Sequence, residues 1–421
     1  MKKFAKMSLV AAVAVAGLTT TSSAKALEEA IKNVDVSGTV VYRYDDRQFD
    51  NQAKDKDTNN YKIGLNLKSQ VNEDVTAVTR FLVAGGDNGF VSLNHATGGD
   101  GQADVVLSNV YFSYTGIANT TVNVGKQGLT TPWTVAIDAD GNEQTGTGIL
   151  ALTNVGPVTL AGAYFNQTNL GTSGDVLPGL NSKTTTTFKT DPGTVDVTTV
   201  SDDFGDKNIA TLGAMGNIGP VALDAWYLDM QDTFDTYTLG AEAKFNLDAV
   251  KLTLGARHTE LDLDKKTGLD YHDKDNSLTK VELGAKMGIF GANVGYGWTD
   301  DEGGVAGLDD DAKTAFQGWT MNLNNVNDAS LLKLNVNAQV MPALNLALNY
   351  NVLDKDKSKE SGRTKDLTDK ELYLQASYQM SKNFGGYIRF GQAEIEDGYN
   401  DNGKTKDNDG TIGRLQVQYS F

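Results

Sequence analysis

Residues 371–390 read ELYLQASYQMSKNFGGYIRF, and this stretch decides the fold. Leu372, Leu374, Ala376, Tyr378 and Met380 share one parity, and Tyr373, Gln375, Ser377 and Gln379 share the other. A period of two marks an extended strand with one apolar and one polar face, because successive Cβ atoms point to opposite sides of a sheet. Ser381-Lys382 interrupts the pattern, which then resumes through residue 396 with Arg389 between Ile388 and Phe390. Two such runs joined by so tight a link form an antiparallel hairpin. Each run is about ten residues, the length a tilted strand needs to cross the hydrocarbon of a bilayer.

The alternation continues outward from this hairpin. Leu332, Leu334, Val336, Ala338 and Val340 alternate with Lys333, Asn335, Asn337 and Gln339; Val281 to Ile289 behaves the same way. Eighteen such runs lie between 35–46 and 410–421, the weakest being 147–153 and 219–230. The connections alternate as well. Tight links such as Asn72-Glu73, Leu247-Asp248, Met341-Pro342 and Ser381-Lys382 follow even-numbered runs. Long polar segments follow most odd ones: 47–58, 86–102, 128–146, 167–206, 301–329, 354–368 and 397–409. Only the short link at Gln231-Asp232 departs from this order. Short periplasmic turns and long outer loops produce that sorting in a barrel, whereas a soluble sandwich has no reason for it. The sequence therefore reads as all-β, a transmembrane antiparallel β-barrel of about 18 strands with both termini on the periplasmic side.

The amino terminus reads as an export signal. Lys2, Lys3 and Lys6 precede the apolar run Met7–Leu18, and Ala24-Lys25-Ala26 fits the small-x-small cleavage rule. Residues 1–26 are thus expected to be a signal peptide and 27–421 the barrel, located in the outer membrane. Phe421, with Leu415, Val417 and Tyr419 on its face, resembles the carboxy-terminal assembly signal of such barrels, although Gln416 stands where that signal has glycine.

Composition excludes more than it proves. A mean hydropathy of -0.34 suits strands that turn a polar face to a water-filled lumen. A net charge of -17 argues against a nucleic-acid partner, which needs a basic footprint. The absence of cysteine removes thiolate catalysis, zinc–cysteine sites and disulfides. Of the three histidines, His95 and His272 fall in loops and His258 on the lipid-facing register; spacing suggests no Ser–His pair. The chain does not read as an enzyme.

Lipid excludes charge, so the charged parity of each strand points inward. This places Arg43, Arg80, Arg257, Arg389 and Arg414 in the lumen. They sit roughly 12–21 Å above the periplasmic turns, near the middle of the apolar band. Arg43, Arg80, Arg389 and Arg414 belong to runs one, three, seventeen and eighteen, which closure makes near neighbours on one basic wall. The third outer loop, 128–146, carries Asp138, Asp140 and Glu143. Folded into the lumen, it would face those arginines, narrow the channel and set up a transverse field. The alternative pairs each arginine locally with a wall carboxylate. Acidic runs such as Asp300-Asp301-Glu302 and Asp309-Asp310-Asp311 read first as solvated outer loops. The sharper reading is divalent-cation binding between loops, because clustered carboxylates suit calcium; Asp138, Asp140 and Glu143, and also Asp407 and Asp409, are suggestively spaced, but neither set is a complete twelve-residue calcium loop.

Two stretches carry a family resemblance. Leu27-Glu28-Glu29-Ala30-Ile31-Lys32-Asn33-Val34-Asp35-Val36-Ser37-Gly38, followed by Tyr42-Arg43-Tyr44-Asp45, resembles the mature amino terminus of the campylobacterial major outer membrane porins. Gly125-Lys126-Gln127, Trp133-Thr134 and Gly146-Thr147-Gly148 resemble their strand-five and third-loop region. The resemblance covers about a quarter of the chain. It implies an eighteen-stranded barrel in a homotrimer of independent pores, a third loop folded inward, cation selectivity, calcium near the constriction, and surface loops exposed to host or phage. Arg43 and the loop after Gln127 carry over directly. The expected function is a porin for passive diffusion of ions and small hydrophilic solutes through a charged constriction. Its rivals are a substrate- or anion-specific channel, favoured by the basic patch, and a surface adhesin as a second role of the loops.

Overall fold

The computed structural model describes residues 34–51, 56–85, 87–93, 104–173, 183–186, 197–200, 204–264, 275–401 and 404–421. The expected signal peptide, His95 and His272 lie outside the described residues. The wall begins with β1 (Val34–Phe49), β2 (Lys56–Gln70), β3 (Val75–Ala84), β4 (Asp104–Ile117), β5 (Thr120–Gly128) and β6 (Thr145–Val155). It continues with β7 (Val158–Thr168), β8 (Ile209–Ile218), β9 (Val221–Met230), β10 (Phe234–Leu247), β11 (Val250–Leu263) and β12 (Asp275–Met287). It ends with β13 (Phe290–Thr299), β14 (Ala329–Met341), β15 (Leu344–Lys355), β16 (Leu367–Ser381), β17 (Phe384–Asp401) and β18 (Lys404–Ser420).

Each strand pairs antiparallel with the next, and β18 pairs back onto β1 from Thr39↔Ser420 to Phe49↔Gly410. The result is a closed barrel of 18 strands. Closure satisfies the backbone donors and acceptors of every strand without leaving an edge, the condition for crossing hydrocarbon with β-structure. The periplasmic links are tight enough to demand left-handed backbone: Asn119, Gly156, Gly219, Asp248 and Gly288 all have positive φ. A two-residue strand, Val91–Ser92, adds to β2, and Lys183–Thr186 pairs with Val197–Val200 outside the wall.

The alternating faces are inverted relative to a soluble protein. Val105, Leu212, Leu374, Ile388 and Phe390 are exposed on the outer surface, while Arg43, Lys62 and Arg80 are buried on the inner one. The two weakest sequence runs have a common cause. On β9 the inner parity carries Trp226, Leu228 and Met230, all buried, while Tyr227 on the outer parity is exposed. On β6 Leu150 is buried on the inner face beside exposed Ile149. Both strands are apolar on two faces because their inner side meets protein rather than water. There Leu129, Trp133, Phe165, Leu170, Val305 and Leu308 form one apolar cluster with the wall. A second cluster gathers Leu278, Phe316, Met321, Leu323, Leu331 and Leu353.

Two expectations about loops change. The polar segment expected at 397–409 is largely strand, because β17 and β18 run on to Asp401 and from Lys404 past the membrane-crossing length. The aspartates 309–311 are not simply solvated: Asp309 is only 1% exposed. Residues 308–314 lie against segment 129–144, so Asp309 faces protein, whereas Asp300, Asp301 and Glu302 are exposed as expected of a solvated loop.

Candidate functional site: the charged cluster of the inner wall

Segment 129–144 is shaped by its own side chains. Thr134 donates from Oγ1 to the Leu129 carbonyl at 2.6 Å, and Gln144 Oε1 accepts the Val135 N–H at 2.6 Å. Asp138 Oδ1 accepts the Asp140 N–H at 2.7 Å, a local turn of the kind aspartate favours. Trp133, fully buried, fixes the start of the segment in the apolar cluster near β6–β11.

The far end of the segment is held by charge. Arg80 on β3 donates to Glu143 from Nε at 2.8 Å and from Nη2 at 2.6 Å, a bidentate pair. Lys62 on β2 lies 3.2 Å from the same carboxylate and donates to the carbonyls of Asp138 and Gly141. Glu143 has no exposed surface. Gly64 makes room for this arrangement: a Cβ there would meet the Arg80 guanidinium at 3.0 Å from Cζ. Arg43 on β1 donates to Asp140 at 2.8 Å and to Gln416 on β18 at 2.7 Å. The Asp140 side chain is 51% exposed.

A second segment completes the cluster. The Leu308 N–H donates to the Trp133 carbonyl, the Thr314 N–H to that of Pro132, and Gln144 Nε2 to Asp309. Farther along, Glu371 on β16 accepts the N–H groups of Trp319 and Thr320 at 2.7 and 2.8 Å, and also takes Asn351 Nδ2 at 2.6 Å. This sets the Trp319 ring 5.0 Å from the Arg389 guanidinium carbon.

The five arginines therefore separate. Arg43 and Arg80 meet acids of segment 129–144. Arg414 pairs with the wall carboxylate Asp45 at 2.5 Å, its cross-strand neighbour, so the local-pair alternative holds for it. Arg257 lies on β11 and pairs with Asp224 at 2.7 Å, away from the others. Among the described residues, Arg389 meets only aromatic rings.

The calcium expectation shifts in membership. Asp140 and Glu143 are committed to arginines, and the carboxylates that converge are Asp138, Asp309 and Asp311, one oxygen of each lying within 4.8 Å of the others. Asp138 Oδ2 is buried with no hydrogen bond, and burial pushes that carboxyl up to about 6. Sequence reasoning missed Lys62, although its parity between Tyr61 and Ile63 marks it as inward-facing. Sequence alone offers Asp309 and Asp311 as clustered carboxylates for a cation but not their meeting with Asp138, and it misses Trp319 and Glu371, whose contact joins distant parts of the chain that no periodicity encodes.

His258 is on the outer face, as its register implied. Its Nδ1 lies 2.7 Å from Thr279 Oγ1 and its Nε2 3.1 Å from Glu260 Oε1, a hydroxyl–imidazole–carboxylate series. The strands on either side pair continuously through these residues, so backbone N–H groups there serve the ladder rather than an oxyanion hole.

Solved structures share this architecture. OccAB3 of Acinetobacter baumannii superposes with a TM-score of 0.71 at 13% identity, covering 93% of this chain and 99% of that one. OpdK and OccK8 (OprE) of Pseudomonas aeruginosa give TM-scores of 0.68 and 0.67, each at 13% identity and 93% of this chain, with 99% and 98% of theirs. No curated protein matches the sequence. The model of the Campylobacter major outer membrane protein matches residues 1–419. Family and fold indicate a channel rather than an enzyme, and the chain belongs to the Campylobacter major outer membrane protein family as an outer-membrane porin for small solutes.

Proposed function

We propose that the protein is a general diffusion porin whose passage is narrowed by segment 129–144 and whose ion preference is set by the charges around it. The buried Arg80–Glu143–Lys62 tie carries this reading, because it anchors an acidic segment to the inner wall. The exposed tip of that segment, Asp140, then stands beside Arg43 where solutes pass. Opposed charges across a water-filled passage create a transverse field that orients dipoles and sorts ions. The acidic excess of the chain supports a cation preference. Planar-bilayer recording tests this: stepwise conductance with a cation-directed reversal potential is expected, and strong anion selectivity would sink the cation-preferring reading.

Calcium fits the Asp138–Asp309–Asp311 cluster. Three carboxylates are hard oxygen donors of the type calcium takes, and the unbonded Asp138 Oδ2 is an acceptor in want of a cation. When bound, the ion would cross-link the two segments electrostatically.

A homotrimer is supported by Lys126. It sits on the outer parity of β5 opposite Val110, and among the described residues its ammonium reaches only the Leu107 carbonyl, next to the irregularity where β3 meets β4. An outward ammonium in an apolar belt is costly against lipid, and a second copy covering that face relieves it. Export through a signal peptide cleaved after Ala26 completes the reading; mass analysis of the mature amino terminus tests it.

A further inference from the structure

Among the five lumen-side arginines, four have a carboxylate within ion-pair distance: Arg43–Asp140, Arg80–Glu143, Arg257–Asp224 and Arg414–Asp45. Arg389 has none among the described residues. Its Nε is buried without a hydrogen bond, and its terminal amino groups bond to no described residue. The nearest acid on the neighbouring strand is no help, because Glu371 is spent on Trp319, Thr320 and Asn351. Arg414, directly opposite Arg389 in register, adds a second positive charge, and like charges so placed are destabilising.

What surrounds Arg389 is aromatic. Its guanidinium carbon lies 4.4 Å from the Tyr387 ring centre, 5.0 Å from that of Trp319 and 5.9 Å from that of Tyr373. The Trp319 Nε1 is also buried and unbonded. Rings stabilise a guanidinium through its faces. They leave its in-plane N–H donors free, and that edge matches the two oxygens of a carboxylate or phosphate. A cation kept unpaired beside a second cation, cushioned but not neutralised, is arranged for an anion that comes and goes.

Resting on the channel reading above, we infer that Arg389, with Trp319, Tyr373 and Tyr387, is a solute subsite that takes the anionic edge of small organic acids. The oxyanion meets the guanidinium edge and a planar body lies against the rings. The subsite lets a channel of acidic overall charge hold and pass anionic solutes that it would otherwise repel.

The test is single-channel recording of the purified full-length protein in planar bilayers, with benzoate, benzamide or inorganic phosphate added to the chloride electrolyte. Benzoate is expected to give concentration-dependent current interruptions, and the isosteric neutral amide none at the same concentration. In Arg389→Gln the benzoate effect should weaken by roughly tenfold or more, as for loss of a charge-assisted hydrogen-bond pair. Arg389→Lys, which keeps the charge and loses the fork, should fall between. Trp319→Ala should weaken benzoate more than phosphate. A phosphate effect lost in Arg389→Gln, with none from benzoate, keeps the subsite and assigns it to phosphate. Normal conductance with no effect of either anion, or an effect unchanged in Arg389→Gln, overturns the inference alone. Absence of stepwise conductance overturns the channel reading and this inference with it.

Discussion

Segment 129–144 is held at its two ends by opposite kinds of chemistry. At β1–β3 the grip is ionic: Glu143 is enclosed by Arg80 and Lys62 with no exposed surface. Toward β6–β11 it is apolar: Trp133 and Leu129 pack among Phe165, Trp226, Leu228 and Leu308. The ionic end is specific in direction and intolerant of loss, since removing one partner strands the others in a poorly solvated place. The apolar end is tolerant of chemistry but not of volume. A segment clamped this way keeps its position while Asp140, near its middle, stays half exposed.

The largest effect is expected at the ionic end. Glu143→Gln leaves two buried cations without their counter-charge and should destabilise the segment by about 3–5 kcal/mol. Because the barrel wall does not depend on this tie, the loss should appear as a larger single-channel conductance and easier protease cleavage within 129–144. Unchanged conductance would break the comparison, since the ionic end would then hold nothing.

Trp133→Ala tests the apolar end. A fully buried tryptophan truncated to alanine typically costs about 3–5 kcal/mol, with the lower part reached where neighbours collapse into the cavity. Leu129 and Leu308 can relax, so an effect somewhat below that of Glu143→Gln is expected, again read as conductance and proteolysis. A Trp133→Phe variant should recover most of it; failure to recover would point to the unbonded Trp133 Nε1 rather than to volume.

The middle of the segment should respond to pH and calcium together. Burial raises the Asp138 carboxyl to about 6, so the folded state binds a proton that the unfolded chain, titrating near 3.8, has released. Stability from this group is therefore present at low pH and lost as pH rises through about 6. On the calcium proposal, the ion would take the ionised form and stabilise by mass action. Calcium-dependent stabilisation should thus be largest above pH 6 and fade below it, and Asp138→Asn should remove both dependences. Thermal unfolding with calcium or chelator across this range measures it; a calcium effect that grows on acidification would refute the assignment.

How much of this was legible in the sequence depends on what each face meets. Where one face meets lipid and the other water, as in 371–390, period-two alternation gives strand, register and inward residues directly. Arg43 and Arg80 were found that way, and the acids they meet followed from loop order. The signal fades on β9, where Trp226, Leu228 and Met230 turn apolar side chains inward to meet a loop. It also fails beyond the membrane, where β17 and β18 continue as strand through residues that read as polar loop. Partnerships set by two long segments touching, such as Gln144 with Asp309 or Glu371 with Trp319, have no local trace at all. The same limit applies to the converging carboxylates: spacing within one loop suggests Asp138, Asp140 and Glu143, whereas the fold pairs Asp140 and Glu143 with arginines and brings Asp138 to Asp309 and Asp311 of another loop.

The smallest expected effect lies at the exposed tip, where Arg43 and Asp140 face each other. The Asp140 side chain is half exposed, so solvent screens the pair and its contribution to stability is small, of order 1 kcal/mol or less. Its contribution to permeation is a different matter, because mobile ions see the same charges that screening makes weak for folding. Arg43→Gln removes the positive side and should shift the reversal potential toward stronger cation selectivity; Asp140→Asn removes the negative side and should shift it the other way. Neither should alter thermal unfolding much, which separates them from Glu143→Gln. Opposite shifts of similar size would place the ion-sensing work at the tip and the holding work at the ends. Shifts in the same direction would mean that both substitutions act by loosening the segment, and the division of labour between tip and ends would fall.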